Sequence, residues 1–405
     1  MSGLAITGLG LVTSAGIGVE ASWARILRGE STASPDANLA GQVTDFSCRV
    51  PDFDADAQLG RRTAWRQERC AHLARVAARE AIADSGLDPA TWNGARVGVV
   101  VGNSLGGTMT FEQQYEILRL HGESQITPML IPMAGVGSPT AWLTLDLGAR
   151  GPNLAPATAC ASGATALGVA RDWLRSGICD VVVAGGAESA LSPLIMAGFG
   201  QLGALSTRGD DPGTASRPFD ADRDGFVAAE GAGILVLERA EDAKARGARV
   251  HARLAGYGGS SDAHHITAPH PQGDGVERAT LAALAEAGLT AADIDHVNAH
   301  GTSTPMNDVI EGGLINRLYG DQVPVTSVKG TLGHALGAAG AIEAVCTVLS
   351  VRDGIIPPTA NLDRQDPRIE LDIVRKVPRQ LDLRAAVSNS FGFGGANGVI
   401  VVTRD

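Results

Sequence analysis

Aromatic residues are scarce in this sequence: they make up 4% of its 405 residues, whereas glycine alone accounts for 52. A core poor in aromatic rings and rich in Ala, Val, Leu and Gly favours close packing of helices on a sheet. Long apolar runs are lacking too. Residues 153–170 carry no charge, but Pro, Asn, Thr and Ser interrupt them. We therefore expect no membrane span.

Paired cysteines are also absent. The five cysteines are odd in number and form no CxxC pair, which excludes both a disulfide framework and a zinc site and indicates a reducing compartment. No Lys or Arg precedes Arg25, so the N-terminal segment reads as a strand and turn and not as a signal peptide. These observations predict a cytoplasmic protein.

The sequence also lacks an excess of positive charge. The formal net charge of −11 argues against nucleic acid or an anionic membrane as the main partner. One local basic run, "GRRTAWRQER", contains Arg61, Arg62, Arg66 and Arg69. This run is either the solvated face of a helix or a surface that meets an acidic partner.

Short runs of β-branched residues alternate with Ala-rich segments of helical period. The predicted strands are residues 97–102, 180–186, 233–238, 295–300, 323–329, 385–390 and 398–403. Helices are predicted at 68–86, 161–177, 275–288 and 337–354. Apolar strands separated by helices indicate a sheet that is covered on both faces, which is an α/β fold.

Two segments of the chain have similar sequence patterns, which indicates an internal repeat. Residues 81–102 and 283–301 both read as a helix end, a Gly-Leu turn and a strand that ends in Gly. Two small-residue helices likewise occupy corresponding places in the two halves. This pattern predicts a duplicated α/β unit in one compact body, divided near residue 250 into an N-terminal half (1–250) and a C-terminal half (251–405).

Cys160 lies in "NLAPATACASGATALG", between small residues at the predicted start of a helix. A free cysteine is often only a small buried hydrophobe. At a helix N-terminus, however, a thiolate is favoured, the cysteine pKa falls, and the free N–H groups can hold an oxyanion. Cys160 is therefore either a core residue or a nucleophile.

Two histidines follow predicted strands. His300 leaves the strand at 295–300, where α/β proteins build sites, and His334 opens a glycine-rich helix after Lys329. His300 could equally be a capped core histidine, and Lys329 with Glu343 could be a structural pair. Charged neighbours of this kind would set the protonation of His334.

Two loops complete the candidates. "SNSFGFGGANG" (388–398) is a tight or mobile glycine-rich loop that can present a backbone N–H group, or else a hairpin. Thr302 and Thr304 either donate hydrogen bonds or only form a turn. His264, His265 and His270 lack partners at ligand spacing, so we expect no metal site.

Taken together, these motifs closely resemble the β-ketoacyl synthases, the condensing enzymes of fatty-acid and polyketide assembly. The motifs that carry the resemblance are "AITGLGLVTSAG", "TACASG", "SRPFDADRDGFVAAEGAG", "HGTSTPMND", "VKGTLGHALGAAG" and "NSFGFGGANG". They occur in this order and spacing over essentially the whole chain. The resemblance implies a thiolase-like fold, in which two similar α/β halves form a five-layered αβαβα body, usually dimeric.

The resemblance also implies a reaction. An acyl chain on Cys160 would condense with malonyl-acyl carrier protein, which loses CO2, to give a β-ketoacyl thioester. Cys160, His300 and His334 would be the catalytic centre, and Lys329 paired with Glu343 would tune the field around His334. The backbone N–H groups of Cys160 and Phe393 would form the oxyanion hole.

The remaining implied contacts concern the substrate. Thr302 and Thr304, with Thr267 nearby, would hold the pantetheine arm. Phe391 would also contact the substrate, and Phe393 would gate the site. No metal or other cofactor is implied, because the substrates travel on the phosphopantetheine of acyl carrier protein. The four arginines are candidates for docking that acidic carrier, and the dimer partner would be a second copy or a chain-length-factor-like subunit.

Phe111 departs from the family pattern, in which a smaller or aliphatic residue commonly floors the acyl pocket. A ring there would either shorten the pocket or pack at the dimer seam. Three alternative functions rank lower. A non-catalytic partner subunit would lack the nucleophile, a CoA-dependent thiolase would carry a second cysteine in the C-terminal loop, and a cysteine hydrolase would not need a second histidine.

Overall fold

The computed structural model describes residues 3–405, and within that range the chain forms sixteen strands and fourteen α-helices. The strands are β1 (Leu4–Thr13), β2 (Gly16–Ile17), β3 (Ser34–Pro35), β4 (Phe46–Ser47), β5 (Val97–Gly102), β6 (Asn153–Leu154), β7 (Val181–Glu188), β8 (Gly231–Glu238), β9 (Ala252–Ser261), β10 (His296–Asn298), β11 (Pro324–Thr326), β12 (Ile355–Ile356), β13 (Asp372–Ile373), β14 (Arg379–Gln380), β15 (Ala385–Gly392) and β16 (Ala396–Thr403).

The helices alternate with the strands along most of the chain. They are α1 (Val19–Arg28), α2 (Ala55–Leu59), α3 (Arg61–Ala64), α4 (Arg69–Ser85), α5 (Thr108–His121), α6 (Leu130–Ala134), α7 (Ser138–Leu147), α8 (Ser162–Arg175), α9 (Pro193–Gln201), α10 (Ala240–Ala245), α11 (Asp274–Ala287), α12 (Pro305–Tyr319), α13 (Lys329–Leu332) and α14 (Ala339–Asp353).

One large sheet contains two copies of the same strand arrangement. Its order is β13-β11-β10-β15-β16-β9-β1-β8-β7-β5-β6, with β2 beside β1. The first set consists of β1, β5, β6, β7 and β8. If these strands are numbered 1 to 5 along the chain, their order across the sheet, from β6 to β1, is 3-2-4-5-1. The second set has the same order and consists of β9, β10, β11, β15 and β16. Neighbouring strands that pair in parallel or antiparallel fashion in one set pair in the same way in the other. The predicted duplication is thus present in the topology.

Helices cover both faces of each half, which gives five layers. α4 lies on β1 and β8, and α11 lies on β9 and β16, so these two helices form outer layers. α8 and α14 contact strands of both halves and form the central layer. A Cβ on Gly163 of α8 would lie 2.6 Å from the Ala341 nitrogen, so only glycine permits this close approach of the two central helices.

The predicted α/β class and the thiolase-like layering are confirmed, and every predicted strand is present with small shifts of its ends. The ten-residue strand β9 was not predicted, because Gly256, Gly258 and Gly259 lower its β-propensity. Those glycines let α11 lie close: a Cβ on Gly258 would be 1.9 Å from the Ala279 carbonyl oxygen. α12 was not predicted either.

No helix within residues 3–405 is both long enough and apolar enough to cross a membrane. The predicted division near residue 250 falls between β8 and β9, where the first strand set ends and the second begins. The assignment of the two halves as separate domains stays a prediction.

Candidate active site

Cys160 lies in a strained turn at the start of a central helix. The turn Ala159–Ala161 is a 3-10 helix, and α8 begins directly after it at Ser162, one residue later than predicted. Ala159 has a φ of 49°, in the left-handed region that costs a residue with a Cβ about 1 kcal/mol. The Ser162 hydroxyl holds this turn, because it donates to the Ala159 carbonyl oxygen and accepts from the Thr158 N–H.

A cavity of about 380 Å³ opens in front of Cys160. It gathers residues from seven separate stretches of the chain, five of which contain residues predicted from the sequence. The predicted residues that line it are Cys160, Thr267, His300, Thr302, Thr304, His334, Phe391 and Phe393. The fold therefore brings the predicted nucleophile, both histidines, the three threonines and the glycine-rich loop to one place.

His334 is the direct neighbour of the Cys160 thiol: its Nε2 atom lies 3.2 Å from Sγ. Burial raises the pKa of Cys160 to about 12, although the charge of Lys329 and the Phe393 N–H, which hydrogen-bonds to the sulfur, both act to lower that pKa. Burial and the charge of Lys329 hold the pKa of His334 well below its usual range. Burial of Cys160 thus acts against the depression of its pKa that the helix start predicts, and burial favours the neutral form of both the thiol and the imidazole.

Lys329 contacts His300 directly, which the sequence did not predict, and its charge also acts on His334. Its ammonium group donates to the His300 carbonyl oxygen at 2.6 Å, lies 3.3 Å from His300 Nδ1, and forms a buried ion pair with Glu343. Lys329 and Glu343 are each only 1–2% exposed. All three ammonium hydrogens are thus occupied, so Nδ1 of His300 is an acceptor and its hydrogen lies on Nε2.

The predicted pairing of Lys329 with Glu343 is present. Burial outweighs the opposing charge of Lys329 and raises the pKa of Glu343 to about 7. Burial also holds the pKa of His300 well below its usual range, and the nearby charge of Lys329 adds to that shift. The rings of His300 and His334 lie 5.4 Å apart at 84° to each other, so two neutral imidazoles face the same small space.

Glu311 is a site residue that the sequence reasoning missed. Its carboxylate accepts from the N–H groups of His300 and Gly301, each at 2.7 Å, and from the Asn389 side chain at 3.1 Å. It fixes the backbone turn that carries His300. The available signal was its place within the first two turns of the helix that follows the "HGTSTP" turn.

The glycine-rich loop lies against a second loop at the mouth of the cavity. The Gly394 N–H donates to the Ile266 carbonyl oxygen at 2.7 Å, and the Asp262 N–H donates to the Gly395 carbonyl oxygen at 2.9 Å. Gly394 and Gly395 have φ values of 81° and 73°, which favour glycine. The loop therefore places Phe393, which is 38% exposed, between Cys160 and solvent.

Two predicted site residues lie elsewhere. Phe111 lies on α5, where its side chain is half exposed, and it does not line the cavity of Cys160. In a single chain it therefore does not form the bottom of an acyl pocket. The alternative position at a dimer seam stays a prediction. Arg69 is not free to dock a partner, because its guanidinium binds the buried Glu230 carboxylate at 2.6 and 2.7 Å.

The other three arginines remain exposed around α3. Arg61, Arg62 and Arg66 are solvent-accessible, and the Arg66 guanidinium stacks 5.1 Å from the exposed Trp65 ring. His264 and His270 are in ring contact, with their centroids 5.1 Å apart. Among the described residues, however, no three His, Cys, Asp or Glu side chains are grouped so that they could hold a metal ion.

Comparisons with known proteins agree with this geometry. The family model for the β-ketoacyl synthase N-terminal domain matches residues 1–243, and that for the C-terminal domain matches residues 251–363. The chain is 42% identical over 404 residues to a 3-oxoacyl-[acyl-carrier-protein] synthase 2 of Vibrio harveyi, covering 98% of this chain and 97% of that protein. The corresponding protein of Synechocystis is also 42% identical, over 397 residues.

Solved structures give the same result. A β-ketoacyl synthase from Burkholderia phymatum superimposes with a TM-score of 0.93 at 34% identity, covering 100% of both chains. The ishigamide ketosynthase and chain length factor gives a TM-score of 0.92 at 36% identity, covering 100% of this chain and 99% of that one. The chain therefore belongs to the β-ketoacyl synthase family, and it is an acyltransferase of the elongating ketosynthase type.

Proposed function

We propose that Cys160 carries the acyl chain in a decarboxylative condensation and that His300 and His334 serve the malonyl half of the reaction. The observation that carries this proposal is the 3.2 Å separation of His334 Nε2 from Cys160 Sγ, in a cavity that His300 also lines. A non-catalytic partner subunit would not need this pair. A thiolase would need a second cysteine in the loop at 388–398, where there is none.

In the first stage, the acyl group moves from its carrier to Cys160. The neutral His334 accepts the thiol proton at Nε2 while the sulfur attacks the thioester carbonyl carbon. The backbone N–H groups of Cys160 and Phe393 hold the oxyanion, and the Phe393 N–H already contacts the sulfur. The tetrahedral intermediate expels the carrier thiolate, which takes up the proton that His334 had accepted.

In the second stage, malonyl thioester enters and loses CO2. The electron pair of the broken C–C bond forms an enolate, whose oxygen accepts hydrogen bonds from Nε2 of His300 and His334. The carbanion then attacks the acyl-Cys160 carbonyl carbon, the C–S bond breaks, and the β-ketoacyl thioester leaves. The Cys160 thiolate that is released takes up a proton from solvent. Because Nε2 of His334 is an acceptor in the first stage and a donor in the second, His334 changes tautomer between them.

The substrate carrier is acyl carrier protein, as in the relatives' names. A solved ketosynthase at 31% identity is in complex with a type II polyketide acyl-carrier protein, with a TM-score of 0.92. Thr302 and Thr304, whose hydroxyls lie 2.9 Å apart, and Thr267 line the cavity and suit the amide-bearing pantetheine arm. The exposed Arg61, Arg62 and Arg66 suit an acidic carrier surface. Phe391 contacts the substrate in the cavity, and Phe393 forms the gate.

The working unit is a dimer. β6 is an edge strand of the large sheet, and an unpaired edge invites pairing with a second chain. Phe111, Tyr115 and Leu118 expose apolar surface on the nearby α5. The partner is a second copy or a chain-length-factor-like subunit, since solved relatives include such heterodimers.

The protein acts in the cytoplasm, in fatty-acid or polyketide synthesis; the condensation is the same in both.

Intact-mass spectrometry of the purified protein tests the proposal. Wild type and Cys160→Ala are incubated with acyl carrier proteins loaded with chains of increasing length. We expect one acyl adduct on wild type and none on Cys160→Ala. Cys346→Ala serves as the matched control, because Cys346 is buried away from the cavity and its loss should leave the adduct unchanged. An adduct that persists in Cys160→Ala would overturn the assignment of the nucleophile.

A further inference from the structure

The motif at residues 216–233 has no part in the reaction described above, although it is one of the six that carry the family resemblance. Its first half, residues 216–223, is a loop that lies between α9 and β8 in the chain. Three charged residues of this loop are buried: Arg217, Asp220 and Arg223 are 8%, 0% and 6% exposed. Burying charges costs desolvation energy, which the groups that they bind have to offset. The contacts of Arg223 indicate what the loop does.

Arg223 binds the backbone at the start of α12. Its Nε atom donates to the Thr304 carbonyl oxygen at 3.1 Å, and its Nη2 atom donates to the Pro305 carbonyl oxygen at 2.8 Å. Its Nη1 atom donates to the Asp366 carboxylate at 2.8 Å and to the Asp220 carbonyl oxygen at 2.7 Å. The planar guanidinium thus fixes two successive carbonyl groups, which the compact point charge of a lysine could not do.

The backbone of the same loop holds the turn before α12. The Arg217 N–H donates to the Ser303 hydroxyl at 2.9 Å, and the Phe219 N–H donates to the Asp308 carboxylate at 2.8 Å. Ser303 has a φ of 70°, in the left-handed region that is unfavourable for a residue with a Cβ. Such a conformation persists only where its surroundings impose it, and here the bonds from the loop do so.

Thr304 connects this turn to the catalytic cavity. Its carbonyl oxygen binds Arg223, whereas its hydroxyl lies in the cavity lining, 2.9 Å from the Thr302 hydroxyl. Thr304 is the N-cap residue of α12, but its side chain makes no capping hydrogen bond. The hydroxyl is therefore not used by its own helix and can bind a ligand. Its orientation depends on the carbonyl contact that Arg223 makes.

The catalytic histidine of the same segment is held by other residues. The His300 N–H donates to Glu311, and the His300 carbonyl oxygen accepts from Lys329. Neither of these bonds involves Arg223. Loss of the Arg223 guanidinium should therefore disturb the threonines in the cavity wall more than the catalytic centre.

We propose that Arg223 is a positioning residue for the arm of the thioester substrate. It holds the backbone of Thr304 and Pro305 so that the Thr304 hydroxyl is oriented toward the arm. It sets the reaction rate with substrates that have this arm and takes no part in bond making at Cys160. The inference rests on the proposed function, in which the threonines bind pantetheine.

The test compares two acyl donors that differ only in the leaving group. Octanoyl-pantetheine has the arm, whereas p-nitrophenyl octanoate delivers the same acyl chain without it. The second-order rate constant for acylation of Cys160 is measured by intact-mass spectrometry. In Arg223→Lys, the rate constant for octanoyl-pantetheine should fall about tenfold, the size of one net hydrogen bond, and that for p-nitrophenyl octanoate should stay within about twofold of the wild type.

A double-mutant cycle tests whether Arg223 acts through Thr304. Thr304→Val removes the hydroxyl and keeps the branched shape, so it should slow acylation by octanoyl-pantetheine in the wild-type background. In the Arg223→Lys background it should cost less than about twofold, because the hydroxyl has already lost its orientation. The same loss in both backgrounds would mean that the two residues act independently, which would overturn the inference.

Arg364→Lys is the matched control. The Arg364 side chain is 68% exposed and pairs with Asp222 of the same loop, so both rate constants should remain those of the wild type. Asp366→Asn covers the case in which Arg223→Lys does not fold. It removes the charge that binds Nη1 of Arg223 and should slow octanoyl-pantetheine alone, by a smaller factor.

Two kinds of failure can be distinguished. Equal slowing of both donors, or no slowing of octanoyl-pantetheine, would overturn this inference while Cys160 is still acylated. Absence of any adduct on the wild type with either donor would overturn the proposed function as well.

Discussion

The Nε2 atom of His334 lies 3.2 Å from the Sγ atom of Cys160, although 174 residues separate them in the chain. Each residue comes from the central layer: Cys160 precedes α8, and His334 precedes α14. Because these two helices belong to corresponding places of the duplicated halves, the duplication itself brings the thiol and the imidazole together. The resting state is a neutral pair, which has consequences that can be measured.

The first prediction concerns thiol reactivity. Because burial raises the pKa of Cys160 to about 12, alkylation of this residue by iodoacetamide should keep rising with pH to at least pH 10 and show no plateau near 9. Peptide mapping by mass spectrometry follows the rate, with Cys160→Ala as the background. A plateau near neutral pH would show a preformed thiolate and contradict the neutral pair.

The second prediction concerns the acid limb of the reaction. The pKa of both His300 and His334 is held well below 6.5 by burial and by the charge of Lys329, so both stay neutral at mildly acidic pH. Decarboxylation of malonyl carrier protein should therefore show no ionisation between pH 6 and 7. Release of labelled CO2 across this range measures it. A fall in rate with a midpoint near 6.5 would mean that the histidines titrate like exposed ones.

The third prediction separates the two stages. Lys329→Met removes the contacts to His300 and Glu343 but none to His334, so malonyl decarboxylation should fall about 100-fold or more while acylation of Cys160 falls much less. Lys329→Arg keeps the charge and is the control for folding. Equal losses in both stages would mean that the charge of Lys329 matters to Cys160 and His334 as much as its contacts matter to His300.

The fourth prediction separates the arginines of the basic run. Arg69→Ala should lower the free energy of unfolding by about 3 kcal/mol, because it leaves the buried Glu230 carboxylate without its main partner. Arg61→Glu and Arg62→Glu should leave stability nearly unchanged and raise the apparent KM for the acyl carrier. Denaturant unfolding measures the change in stability, and steady-state kinetics with the acyl carrier measure the change in KM. Unchanged carrier kinetics in both charge reversals would remove α3 from the docking surface.

The fifth prediction concerns α5. If Phe111 packs at a dimer seam, Phe111→Glu should convert the dimer to monomer in light scattering, because it buries a charge in an apolar contact. Phe111→Ala should then leave the preferred acyl length unchanged. A shift of that preference toward longer chains, with the dimer intact, would instead assign Phe111 to the pocket.

Much of the fold could be predicted because its strands are continuous apolar runs. β5 matches its predicted bounds at both ends, since "VGVVVG" is apolar on both faces. β9 was not predicted because its glycines give it a low β-propensity. These glycines are there because α11 packs closely on the strand, and a packing requirement of this kind cannot be read from local propensity.

The site residues and the pairing of Lys329 with Glu343 could be predicted from their motifs, but the direct contact of Lys329 with His300 could not. Lys329 stands five residues from His334 in the chain, yet its ammonium group reaches His300 across the sheet. The pKa of Cys160 is a related case: the helix start, which lowers it, is visible in the sequence, whereas burial, which raises it, depends on how the chain folds around the thiol. Glu311 carries no motif signal of its own, because its role depends on where α12 lies.

The most direct test of the account is the yield of condensation. Wild type and Cys160→Ala are supplied with octanoyl and malonyl carrier proteins, and the β-ketodecanoyl carrier product and CO2 are both quantified by mass spectrometry and isotope release. The account predicts one product for each CO2 from the wild type and no product from Cys160→Ala. A β-ketoacyl product formed by Cys160→Ala at a comparable rate would contradict it.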